Sequence, residues 1–172
     1  RPTSPRVTYI KAKIMSAPSL VGDGALIILA KTYFVNLKIK VASYTFIARL
    51  ELEAAPLTCA AFIKALPFHS KLIQARWSGE SAWIPLGDYQ LGVGFENHTS
   101  HPAPGDILFY PGGYSETEIL FPYGATCFAS KMGQLAGNHF LTITSGRENL
   151  PELGKLVLWH GAQEIIFEEI SE

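Results

Sequence analysis

Cysteine and charge are both scarce in this chain of 172 residues: there are two cysteines, and Lys, Arg, Asp and Glu together make up 17%. Two thiols, Cys59 and Cys127, are too few to staple a domain of this size, which excludes a disulfide scaffold. Free thiols in a reducing cytoplasm are the expectation. No apolar run approaches the ~20 residues of a membrane-spanning helix. The first residues also lack the basic, apolar and cleavage-site pattern of a secretory leader. A membrane partner is therefore not expected. A charged share well under the usual ~25% leaves more apolar sequence to bury, and 48% of the residues are hydrophobic. Either the core is large, or a second copy of the chain covers part of the surface, so a homo-oligomer is expected.

The charges that are present are unevenly spread. Residues 1–49 hold eight bases (Arg1, Arg6, Lys11, Lys13, Lys31, Lys38, Lys40 and Arg49) against one acid, Asp23; residues 50–172 hold six bases against fourteen acids. A basic segment can meet nucleic acid. Here no Arg cluster, aromatic-basic interleaving or nucleic-acid motif accompanies it, so these lysines read as the wet sides of alternating strands.

Hydrophobic periodicity divides the chain in two. Residues 1–34 are rich in Pro and Gly around the alternating piece Val7–Ile14 and the apolar run Ala25–Leu29, and read as an arm. From residue 35 to 172 a single domain is expected. Val35, Leu37, Ile39 and Val41 alternate with polar residues, Ala42 and Ser43 turn the chain, and Tyr44 to Leu52 resume alternation, which is the pattern of a hairpin. An Ala-rich helix over Cys59–Leu66 follows, with Thr58 as its cap and Pro67 as its stop. Lys71–Ser78, Ser81–Leu86, Ile107–Tyr110, Glu118–Phe121 and His139–Thr144 read as strands. A second helix starts at Asn149 with Pro151 in its first turn and runs to Gly161, before a last strand, Gln163–Ile170. Strands dominate and the two helices are isolated, which excludes parallel α/β alternation. The expected fold is mainly β: a closed antiparallel barrel of about eight strands with two helices.

The segments Ala75-Arg76-Trp77-Ser78-Gly79-Glu80, Glu96-Asn97, Gly105-Asp106-Ile107-Leu108, Tyr123-Gly124 through Ala129-Ser130-Lys131, and Leu135 to Phe140 together resemble a bacterial cyclophilin-like family whose function is not established. The resemblance spans residues 44–170. It implies a cyclophilin-like barrel. The superfamily's best-known activity, peptidyl-prolyl isomerisation, relies on an Arg, an apolar proline pocket and a nearby Gln. Arg76 falls at the matching place after the first helix. Trp77-Ser78-Gly79-Glu80 stands where an isomerase shows Phe, Gln and paired Gly, so the Gln is missing.

Arg76, placed by this reading on a strand with Gln74 and Ser78, is a candidate bidentate reader of carboxylate or phosphate. Glu80, Glu96, Glu116 and Glu118 fall near strand ends; two of them close together could exchange protons, and each could equally pair with Arg76 or Lys131. Lys131 and His139 flank a Gly-rich loop, one as an anion binder and the other as a proton carrier or a hydrogen-bonded structural residue. Tyr110 and Tyr123 offer hydroxyls that orient a ligand or satisfy backbone. Trp77, Trp83 and Tyr123 supply apolar walls. His98 and His101 near Glu96 lack a third ligand for zinc, so neither a metal nor another cofactor is expected. Gly92-Val93-Gly94 does not join a strand to a helix, and Ser78 and Ser115 lack the glycines of a nucleophile elbow. The reading that follows is a pocket at the barrel mouth for a small anionic or amide-containing molecule or a peptide. A divergent prolyl isomerase and a structural subunit of a homo-oligomer are the alternatives.

Overall fold

A computed structural model describes residues 36–170 of the chain. The expected arm, with Val7–Ile14 and Ala25–Leu29, lies outside the described residues. Eleven strands and two α-helices follow in order. They are β1 (Asn36–Val41), β2 (Tyr44–Leu50), α1 (Pro56–Lys64), β3 (Phe68–Gln74), β4 (Gly79–Gly87), β5 (His98–Thr99), β6 (Asp106–Tyr110), β7 (Thr117–Thr126), β8 (Ala129–Ser130), β9 (Gly133–Gln134), β10 (Gly137–Ser145), α2 (Leu150–His160) and β11 (Gln163–Glu169).

Eight of the strands close into an antiparallel barrel in the order β2-β1-β11-β3-β4-β7-β6-β10, with β10 returning to pair with β2. Closure removes the open edges that an antiparallel sheet otherwise exposes. The short β5 hangs on β10, and β8 and β9 form a separate small hairpin. Alternation explains the interior. Leu37, Ile39 and Val41 of β1, Ala82 and Ile84 of β4, Ile107 and Phe109 of β6, and Ile119 and Phe121 of β7 all join one buried cluster.

The helices complete that cluster. Phe62 of α1 lies with its ring centroid 5.0 Å from Phe140, 5.3 Å from Phe167 and 5.4 Å from Phe68, separations typical of favourable edge-to-face contact. Leu150, Leu153 and Val157 bury the inner side of α2, which packs on β3, β4 and β7. Gly154 makes that approach possible, because a Cβ there would overlap the ring of Tyr123. Neither expected cap is used. Thr58 lies inside α1, whose first residue is Pro56, and Asn149 makes no side-chain cap bond to α2.

The β1–β2 turn carries a small strain. Ala42 has φ of 50°, a left-handed conformation that costs a residue with a Cβ roughly 1 kcal/mol. Thermal unfolding followed by circular dichroism is expected to rank Ala42→Gly above wild type and Ala42→Val below it. The Gly variant should gain about 1–2 °C, its own flexibility offsetting part of the relief.

Candidate functional site

The barrel wall has a second, smaller apolar layer on its outside. On β7 the alternation that sends Ile119 and Phe121 inward sends Glu118 and Leu120 outward. Leu120 lies opposite Trp83 of β4 and Leu108 of β6 in the strand register. Leu108, Tyr110, Leu120, Ala75, Phe128 and Leu135 form the outer cluster, with Trp83 packed against it. Phe128 and Leu135 bring the β8–β9 hairpin onto this wall, and the Phe128 ring meets that of Tyr110 edge-on at 6.0 Å.

Between this hairpin and the β3–β4 and β6–β7 connections lies a hollow of about 340 Å³. Arg76, Trp77 and Ser78 line it from one connection, Ser115 and Glu116 from another, and Ser130 and Lys131 from the hairpin. Trp83 and Glu118 form its sheet side. The hollow is therefore on the outer wall and not at the barrel mouth, because Trp83 and Glu118 alternate with Ala82, Ile84 and Ile119, which face the core. Arg76 also differs from its expected strand position: β3 ends at Gln74, and Arg76 lies in the connection that follows.

Glu118 is the unusual member. It is only 6% exposed, yet no hydrogen bond or ion pair reaches its carboxyl among the described residues. Its strand partners are Pro85 and Tyr110. Burial among these groups, and then the charge of Glu116, push its pKa up to about 8, as expected when a carboxyl is removed from water without a compensating donor. Arg76 and Lys131, both exposed, have no ion-pair partner among the described residues.

The other five candidates serve elsewhere. Glu80 accepts a hydrogen bond from the Ala125 backbone at 2.7 Å. Glu96 accepts from the Thr58 backbone at 2.6 Å, and so caps α1 from a distant part of the chain. Tyr110 is 2% exposed, and its ring packs in the outer cluster beside the hollow. The Tyr123 hydroxyl donates to Gln74 Oε1 at 2.9 Å. His139 belongs to a chain of contacts on β10. The Thr142 hydroxyl donates to Glu51 Oε1 at 2.7 Å, which leaves its oxygen to accept from His139 Nε2 at 2.8 Å. Burial would raise the Glu51 carboxyl, but the bonds from Thr142 and Arg49 outweigh it and hold the pKa below the usual range. Cys59 is buried with its thiol on the Phe140 carbonyl, and burial pushes its pKa up to about 12. That removes it as a nucleophile near neutral pH.

A closed antiparallel β-barrel with a polar, tryptophan-walled hollow on its outer wall is thus the class of molecule the coordinates define. Within that class, the chain belongs to a family described as proteins of unknown function (DUF3830), whose pattern it matches over residues 37–168. No curated protein matches it. Two solved structures are similar in fold. One is the structure of McbB in complex with tryptophan, at TM-score 0.59 and 17% identity over 79% of this chain. This chain spans 45% of McbB. The other is the solution structure of the hypothetical protein AF2241 from Archaeoglobus fulgidus, at TM-score 0.52 and 24% identity, covering 79% of this chain and 95% of that one. Among the described residues no helix is long and apolar enough to cross a membrane.

Proposed function

We propose that the outer-wall hollow binds a small anionic or amide-containing molecule. One observation carries this reading: two cations and a buried carboxyl, none of them paired among the described residues, share a hollow walled by two tryptophans. Apolar walls with a few convergent polar groups are the usual form of a small-molecule site, and about 340 Å³ lies within the usual range of such sites. Arg76 supplies a planar fork for a carboxylate, and Lys131 a second positive charge. The exposed, unpaired Cys127 suits a reducing compartment such as the cytoplasm.

The test is a thermal-shift and calorimetric panel of aryl carboxylates and amides. At least one is expected to bind, and Arg76→Ala is expected to weaken a carboxylate by roughly 1.5–3 kcal/mol, the worth of a hydrogen bond to a charged group. A panel without any binder would refute the reading. A divergent prolyl isomerase remains the second reading, favoured by Arg76 standing beside Trp77 and Trp83 in one hollow. A coupled assay on an X-Pro peptide separates the two, and no acceleration is the expected result.

A further inference from the structure

We infer that Glu118 is the specificity-determining residue of this hollow, donating a hydrogen bond from its carboxyl group to a carbonyl oxygen, while Arg76 and Lys131 hold a carboxylate on the same molecule. The ligand class is then an amido-acid, such as an N-acylated amino acid. The inference rests on the small-molecule reading above.

The argument starts from burial. The carboxyl of a residue that is 6% exposed, without a partner among the described residues and lining a hollow, is a polar group whose protein hydrogen bond has yet to be made. Its oxygens open into the hollow, where a ligand group can take the place of water as their partner. Among the described residues none of its neighbours does so. Trp83 and Pro85 of β4 carry no charge, and on the hairpin and the β3–β4 connection Lys131 and Arg76 are exposed. Two titratable groups face it more directly: Tyr110 on β6, and Glu116 on the β6–β7 connection, which disfavours a second negative charge. Near neutral pH the group keeps its proton and is a donor, which selects an acceptor oxygen over an ammonium. The hollow's two cations against the single exposed Glu116 also disfavour a cationic ligand. Carbonyl, carboxylate and an apolar group for the tryptophans must therefore occur on one small molecule.

N-benzoylglycine has all three features and is the probe. 4-Phenylbutanoate, which lacks the internal carbonyl, and N-benzoylglycinamide, which lacks the carboxylate, are the controls. Calorimetry at pH 6.5 is expected to show N-benzoylglycine binding at least tenfold tighter than either control. Its affinity should fall about tenfold by pH 9, as the donor is lost. Glu118→Gln keeps a donor and should bind as wild type does at pH 6.5 while losing the pH dependence. Glu118→Leu keeps the volume and should weaken binding at least tenfold. Circular dichroism confirms that both variants are folded. The inference is overturned if folded Glu118→Gln loses binding, if wild-type affinity is flat from pH 6.5 to 9, or if the probe binds no tighter than 4-phenylbutanoate. In those cases weakening of 4-phenylbutanoate by Arg76→Ala would leave the pocket reading standing. Wild-type protein that binds none of the three compounds overturns both.

Discussion

Replacing Glu118 by Gln is expected to make the protein more stable at pH 8–9, by on the order of 5 kcal/mol, and to leave it little changed at pH 4–5. The direction follows from proton counting. In the unfolded chain the carboxyl ionises near its usual value of 4.5, and in the folded chain near 8. Between those values the native state binds the extra proton. The group's contribution to stability is therefore fully present below pH 4.5 and is lost as pH rises through 8. A neutral amide of similar shape has no proton to lose, so its stability curve should stay flat across this window. Domains of this size shift by about 2–4 °C per kcal/mol, so the melting temperatures of the two proteins should diverge widely at alkaline pH. Glu51 and Glu168 act in the opposite sense. For Glu51 burial is outweighed by bonds from Thr142 and Arg49, and for Glu168 the bond from Lys40 leads, so both pKa values are lowered. Their contributions are present above the unfolded value and are lost only as pH falls below it, outside the window where Glu118 titrates. Denaturant midpoints at pH 5, 7 and 9 for the two proteins check this. Parallel curves would show that the Glu118 carboxyl is not held protonated by the fold.

The sheet was more legible than the hollow, for a physical reason. Period-two alternation is a local property of the chain, and it placed the β1–β2 hairpin, β10 and β11 within a residue or two of where they lie. Boundaries set by distant contacts were not legible. β3 starts at Phe68 and ends at Gln74, because it begins directly after α1 and releases Ala75–Ser78 to the hollow. Between Phe121 and His139 the sequence offers no period-two run to read as a strand. Instead β7 continues to Thr126, and Ala129–Gln134 folds back as the β8–β9 hairpin. Residue types alone drew attention to Arg76, Trp77, Ser78, Glu116 and Lys131, which line one hollow, and equally to Glu96 and His139, whose partners are structural. Glu96 caps a helix thirty-eight residues away in sequence, and spacing cannot reveal that. Glu118 did leave a signal. The run Glu118–Phe121 has apolar residues on both faces, so both faces are covered, and a carboxyl on a covered face needs an explanation.

Asn138→Ala is expected to cost about 3–5 kcal/mol, because one side chain ties three segments together. Asn138 is fully buried on β10. Its Oδ1 accepts from the Glu96 backbone at 3.0 Å, and its Nδ2 donates to Thr58 Oγ1 at 3.0 Å and to the Gly94 carbonyl at 2.8 Å. Removing it takes the partner from the Glu96 N–H, the Gly94 carbonyl and the buried Thr58 hydroxyl, and frees Glu96 from its post at the start of α1. The Asp variant sharpens the test. An Asp carboxylate still accepts from Glu96 but faces the Gly94 carbonyl with a negative charge, and brings that charge toward Glu96. Asn138→Asp should therefore be severely destabilised at pH 7 and recover as pH falls and the buried acid takes up a proton. The damage should also reach the hollow. Phe95, beside Glu96, meets the tilted ring of Tyr110 at 6.0 Å, and Tyr110 meets Phe128 at the same separation. Phe128 anchors the hairpin that carries Lys131. If that relay of rings transmits the loosening, hydrogen exchange in Asn138→Ala will rise in residues 129–134 as well as in α1, while β1 and β11 stay protected. Faster exchange confined to α1 would show that the hairpin is held by its own contacts with the wall.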